Sequence, residues 1–221
     1  MYKLIKRFFD IIFSLISLLI LMPFFALVIL ILKFTGEGEV FYFQQRIGFR
    51  NQSFEIWKFA TMIKNSPKLG SGSLTLRNDP RVLPFGKFLR KTKINELPQL
   101  INILIGDISF IGPRPQMKVD FEKYPKYIQE NIYNSKPGLS GIGSIIFRDE
   151  EKLISDPLIS DPHKYYKEII APYKGALEMW YQRKQSFQID LKLIIVTLLA
   201  VLFSSFNWCN LFFKDLPSKN L

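Results

Sequence analysis

Histidine and cysteine are almost missing from this sequence, which holds His163 and Cys209 and no others in 221 residues. A single cysteine excludes an intrachain disulfide and any cysteine-rich metal site. A single histidine excludes a multi-histidine zinc centre. A metal held by such a chain has to rest on carboxylates, which selects magnesium or manganese. Carboxylates are themselves scarce: 19 Asp and Glu stand against 30 Lys and Arg, for a formal charge of +11. That excess favours anionic partners, whether lipid headgroups, phosphorylated substrates or nucleic acid. No nucleic-acid reading helix or aromatic RNA-binding motif is recognisable, so nucleic acid is not an expected partner. Internal repeats and low-complexity tracts are also missing. The length suits one domain with membrane elements and is too short for a multi-span transporter array.

Apolar residues, by contrast, make up 48% of the chain, and 21 are Phe. A soluble domain seldom carries that much apolar surface uncovered. Phe8 to Leu32 is a nearly unbroken apolar run, long enough to cross a bilayer at roughly 20 residues per span. Two features point away from an ordinary crossing. Pro23 lies near its middle, where it removes a backbone donor and kinks a helix. Positive charge flanks both ends, with Lys3, Lys6 and Arg7 before it and Lys33 after. The positive-inside rule then does not favour placing the ends on opposite sides. A bent helix that enters and leaves by one face fits both facts; a plain anchor with a tolerated proline is the other reading. A second apolar run, Leu191 to Phe203, is short for a span and reads as an interfacial helix, with Trp208 near the headgroups.

Between the two runs, Val40–Arg46 and Ser53–Phe59 read as strands of a hairpin turning through Gly48 and Asn51. Ser66 to Asp79 reads as a loop. Pro84–Arg90 and Asn95–Ile105 read as helices, the second on its spacing of Leu97, Leu100, Ile101 and Leu104 and its stop at Gly106. Prolines and glycines from Pro113 to Gly143 predict a loop-rich middle. Lys164–Gln185 reads as helical, with Pro172 near a start or a kink. The fold class expected is α+β and mostly α.

Three segments carry candidate chemistry. In Lys91–Leu100, Glu96 falls at a predicted helix start, where exposed amides and the dipole favour negative charge. The same place suits a phosphate or a magnesium-bound carboxylate, and equally suits an ordinary N-cap at Asn95. In Gly106–Pro115, Arg114 is clamped between Pro113 and Pro115. Fixed backbone angles on both sides aim a planar fork that matches a diphosphate; a rigid turn with a solvated arginine is the alternative. Lys136–Gly143 is glycine-rich without being a P-loop or dinucleotide fingerprint, and Phe147–Arg148 with Asp149–Glu151 follows it. Together these describe a basic, carboxylate-containing site beside a membrane, suited to moving a phosphoryl group by positioning and charge neutralisation.

The combination resembles the bacterial sugar transferase family, the monotopic phosphoglycosyl transferases, from Lys6 to about Phe203. The residues that carry the resemblance are Lys6-Arg7 with Asp10, the apolar run with Pro23, Gln44–Gly48, Lys58-Phe59 with Thr61-Met62, Arg90, Glu96–Leu100, Gly106–Ser109, Gly112–Pro115 and Lys136–Gly138. The resemblance implies a re-entrant helix over 1–35 in the inner leaflet, bent at Pro23. It implies a catalytic domain over 36–190 on the cytoplasmic face of the bacterial inner membrane, with a C-terminal interfacial helix over 191–213. It implies an Asp-Glu pair working with Mg2+, attack by the aspartate on a UDP-sugar, release of UMP, and handover of the phosphosugar to polyprenyl (undecaprenyl) phosphate. Such a step opens surface-glycan assembly, so downstream glycosyltransferases are expected partners. Glu96 then takes the place of the pair's glutamate and metal ligand. Lys58, Arg90, Pro113, Arg114, Pro115 and Arg148 become substrate-binding candidates, and Lys6, Arg7 and Pro23 membrane determinants.

The chain departs from that pattern where it matters most, because Asn95 stands where the nucleophilic aspartate would fall. An amide is a poor nucleophile and brings no anionic charge to a metal. Three explanations stay open: Glu96 attacks or serves direct attack by the lipid phosphate; Asp107 or Asp149 reaches the site; or the protein is a silent scaffold that binds polyprenyl phosphate or recruits glycosyltransferases. Ala60 replaces a frequent arginine, and Gly141–Ser144 replaces a stretch that often contains tryptophan.

Overall fold

A long apolar helix dominates the computed structural model, which describes residues 1–69, 75, 76, 78–203 and 208–218. Helix α1 (Tyr2–Phe34) is 33 residues long, or about 50 Å at 1.5 Å per residue. It is long and apolar enough to cross a membrane, with 11% of its most apolar window buried. Both halves nevertheless rest on the same domain. Leu18 and Leu21 pack against Leu100, Ile103 and Ile108, and Val28 and Leu32 cluster with Phe59 and Leu89. The helix stays continuous through Pro23, although the proline leaves the Leu19 carbonyl without its helical donor.

The hairpin forms as expected. Strand β1 (Phe41–Ile47) pairs antiparallel with β2 (Ser53–Phe59), Phe41 opposite Phe59 and Tyr42 opposite Lys58. Arg50 and Asn51 turn the chain at positive φ. Helix α2 (Pro84–Lys91) follows. The helix expected over Asn95–Ile105 divides: a 3-10 turn covers Ile94–Glu96, and α3 (Gln99–Ile105) starts after Pro98. Proline supplies no donor to the preceding turn, so the two pieces meet there. Gly106 closes α3 in the left-handed conformation, at φ 102.

The middle of the chain is more ordered than its composition suggests. Strand β3 (Ser109–Ile111) and β4 (Gly138–Ser140) form a parallel pair. Around it lie α4 (Lys118–Phe121), α5 (Lys126–Asn131), α6 (Ile142–Ile146) and α7 (Glu150–Ile154). The strands cross so closely that a Cβ on Gly112 would sit 2.4 Å from the Lys136 carbonyl oxygen. Helix α8 (Pro162–Tyr165) runs through a π turn (Tyr166–Ile170) into α9 (Ala171–Lys184), with Pro172 in the first turn. The main core gathers Ile128, Ile132, Tyr133, Ile142, Tyr166, Leu177 and Tyr181.

Helix α10 (Phe187–Leu202) begins at a Ser186 cap and spans 16 residues, about 24 Å. One side buries Leu193 and Val196, while Leu191, Leu198 and Val201 remain exposed. The Phe9 ring of α1 meets that of Phe187 at a tilt of 38°, with 5.7 Å between centroids, which joins the apolar sides of α1 and α10 at that point. The Trp208 indole donates to the Phe203 carbonyl from α11 (Trp208–Phe212). Ser204, Ser205 and Asn207 lie outside the described residues, as does part of the loop expected over Ser66–Asp79.

Candidate active site

The site is organised around Glu96. Strand β2 brings Lys58 beneath it, and Lys58 Nζ donates to Glu96 Oε1 at 3.1 Å. Arg114 Nη2 donates to the same oxygen at 2.9 Å. Burial opposes the charge on Glu96, yet Arg114, then Lys58 and Lys93, outweigh it and hold the carboxyl well below its ordinary range. Burial pushes the Lys58 ammonium from 10.5 down to about 8, with Glu96 resisting. Glu96 raises the Arg114 guanidinium further. The anionic state of Glu96 is therefore secured by cations rather than by a helix terminus, because α3 starts downstream at Gln99.

Arg114 is aimed by its backbone. Its N–H donates to Glu178 Oε1 at 3.3 Å, and its carbonyl accepts from the Tyr133 hydroxyl at 2.8 Å. The Pro113 carbonyl accepts from Gly138 N at 2.9 Å. The Pro115 carbonyl accepts from Arg46 Nη1 at 3.2 Å, and Gln116 bridges to β1 through Ile47 N. A strand crossing, a tyrosine and a buried carboxyl thus fix what two prolines begin. Glu178 is 1% exposed, and burial raises its carboxyl to about 7.

Further cations border this pair. Arg46 is held by Gln44 Oε1 at 3.0 Å and is close enough to act on Lys58. Arg90 ends α2 near Lys93 and Glu151. Lys93 enters the turn that bears Glu96 at φ 60, a left-handed conformation costly for a residue with a side chain. Of the sequence candidates, then, Lys58, Arg90, Asn95, Glu96, Pro113, Arg114 and Pro115 share one region. Arg148 goes elsewhere: it donates to the Ala200 carbonyl in α10 and pairs with Asp149 at 3.6 Å. Sequence reasoning missed Arg46 and Glu178 as participants. Arg46 lay inside a quoted motif, but Glu178 is an isolated acid in α9 with no sequence signal.

Lys6 and Arg7 are engaged by protein. Arg7 donates to the Ile103 and Leu104 carbonyls at 2.6 and 2.7 Å, meeting the unsatisfied carbonyls that end α3. Lys6 pairs with Asp190 of α10, which also accepts from the Tyr2 and Tyr181 hydroxyls. Asp10 accepts from Ser109 Oγ at 3.0 Å and Phe110 N at 3.1 Å. These contacts tie the start of α1 to α3, β3 and α10.

No group of three His, Cys, Asp or Glu that could cage a metal exists among the described residues. Among the described residues both side-chain hydrogen bonds to Glu96 fall on Oε1, which leaves Oε2 open. Magnesium commonly binds through one or two carboxylates and completes its shell with water and phosphate oxygens, and an open carboxylate oxygen fits that habit. The neighbouring Asn95 oxygen is buried and accepts no hydrogen bond from the described residues.

Residues 1–204 match the model of the family described as bacterial sugar transferase. The exopolysaccharide production protein ExoY of Sinorhizobium fredii is 36% identical over 159 residues, covering 66% of this chain and 70% of that one. The undecaprenyl-phosphate glucose phosphotransferase of Komagataeibacter xylinus is 32% identical over 204 residues, 90% of this chain but 36% of the relative. The undecaprenyl-phosphate galactose phosphotransferase of Salmonella typhimurium is 34% identical over 163 residues, 67% of this chain and 34% of the relative. The chain thus spans about a third of the two phosphotransferases.

Proposed function

This chain belongs to the bacterial sugar transferase family, and on that premise we propose that it moves a sugar 1-phosphate from a UDP-sugar to polyprenyl phosphate, releasing UMP. The observation that carries the proposal is the convergence of Lys58 and Arg114 on one oxygen of Glu96. A cation pair pre-set by a carboxylate is organised before substrate arrives, so little reorganisation is left for the reaction. Arg114 presents a fork to the diphosphate, and Lys58 and Arg90 add positive charge. Magnesium carried by the diphosphate would be held by Glu96 and would neutralise charge developing on the phosphate oxygens.

The lipid substrate sets the location. The exposed apolar sides of α1 and α10 (Phe8, Leu15, Leu19 and Leu27; Leu191, Leu198 and Val201) suit burial in one leaflet. Both halves of α1 contact the same domain, which supports a helix that dips into the bilayer and returns, here the cytoplasmic leaflet of the inner membrane. The product suits consumption by later glycosyltransferases.

The test is UMP release from a panel of UDP-sugars with undecaprenyl phosphate and magnesium. Release that requires the lipid supports the proposal. Binding of the lipid without release from any UDP-sugar refutes it and favours the scaffold reading that Asn95 suggests.

A further inference from the structure

We propose that this site transfers the phosphosugar in a single displacement, with no covalent enzyme intermediate; the inference rests on the function proposed above. The argument begins with which side chains can attack phosphorus. Asn95 has only an amide, and its oxygen is enclosed by protein. Glu96 carries both Lys58 and Arg114 on Oε1. An acyl phosphate there would take away the carboxylate charge to which both cations are hydrogen-bonded, and so undo the arrangement that aims them.

Of the other acids, Glu151 stands against Arg90 and Lys93 rather than against Lys58 and Arg114, and the rest are engaged by other groups. Asp107 accepts from Asn102 Nδ2 at 3.0 Å, behind α3. Asp149 pairs with Arg148 at 3.6 Å, and Glu150 pairs with Lys174. Glu178 holds the Arg114 backbone. Asp120 pairs with Lys123 at 2.9 Å. Cys209 is buried in the main core cluster, beyond reach of the phosphates.

Charge is compatible with this route. Five cations, Arg46, Lys58, Arg90, Lys93 and Arg114, act on one another or on Glu96. A single displacement holds the diphosphate and the lipid phosphate in the site together, and such a cluster offers positive charge to both. Atoms balance without a protein group. An oxygen of the lipid phosphate forms a bond to the sugar-bearing phosphorus. The bond from that phosphorus to the bridging oxygen breaks, and UMP leaves with the electron pair. No net proton is required when both monoesters are dianions.

The test uses the full chain in detergent or nanodiscs, with labelled UMP and a panel of UDP-sugars. A covalent route exchanges labelled UMP into the UDP-sugar without any lipid, and adds the mass of a phosphosugar to the protein. The single-displacement route does neither, and its initial rates give intersecting double-reciprocal lines. Lipid-dependent UMP release with exchange below one hundredth of turnover supports the proposal. Exchange at a rate comparable to turnover, or the mass adduct, overturns it while leaving the proposed function intact. Absence of UMP release under every condition overturns both. Asn95→Asp supplies the positive control, because exchange that appears only in this variant shows that the assay detects a covalent route when a carboxylate is present.

Discussion

Lys58 couples the site to pH with opposite signs for activity and for stability. In the free protein its ammonium is half-neutralised near pH 8, against 10.5 for an exposed lysine. At pH 9 about one molecule in ten keeps the charge, so kcat/KM, which reports the free enzyme, should fall about tenfold per pH unit above 8. Stability moves the other way. Between about 8 and 10.5 the unfolded chain binds the proton that folded Lys58 releases, so unfolding becomes harder as pH rises through that window. Below 8 both states hold the proton, and the full cost of burying the cation is present. The displacement corresponds to about 3 kcal/mol in all. About 1 kcal/mol of it is recovered between pH 8 and 9, a rise of roughly 2–4 °C in Tm for a chain of this size. The assay pairs UMP release at low UDP-sugar with thermal melts from pH 6.5 to 9.5, and Lys58→Arg should flatten both profiles. A kcat/KM that stays level to pH 9.5 in the unaltered protein would refute the role given to Lys58.

Glu96→Gln leaves Lys58 and Arg114 without their counter-charge, and loss of one partner of a buried pair costs about 3–5 kcal/mol; a melt lowered by less than about 3 °C, with turnover retained, would remove Glu96 from the centre of the site. Arg114→Lys keeps the charge but not the fork, and kcat/KM should fall about 10- to 100-fold, the worth of one charge-assisted hydrogen bond; equal activity would leave Arg114 as a turn residue. Gly112→Ala forces a Cβ to within 2.4 Å of the Lys136 carbonyl oxygen, and overpacking of about 1–3 kcal/mol should appear as a lower Tm, whereas an unchanged melt would show that the strand crossing yields easily.

Local signals were strong where pattern and turn chemistry coincide. The hairpin strand Ser53–Phe59 and the helix at Pro84 lie where aromatic alternation and an N-terminal proline put them. The long apolar helix followed from the run Phe8 to Leu32, and the mostly α character from helical spacing and the family resemblance. The parallel strands Ser109–Ile111 and Gly138–Ser140 were invisible because three residues hold no period, and their pairing closes over an intervening stretch of α4 and α5. At the site, motifs delivered Lys58, Glu96 and Arg114. They did not deliver Glu178, whose role exists only because α9 packs against the backbone of Arg114. Nor did they reveal that Arg148 grips α10, since an arginine beside acids reads alike whether it serves a ligand or a helix end.

Arg7 holds the last carbonyls of α3, and the turn bearing Glu96 precedes that helix's first residue. Seven residues of helix amount to about 10 Å, so α3 works as a fixed ruler between the start of the apolar helix and the reacting centre. On the function proposed above, the depth of α1 in lipid sets the height at which the lipid's phosphate must stand to be reached. A thicker or thinner bilayer would shift that height without touching a single residue around Glu96.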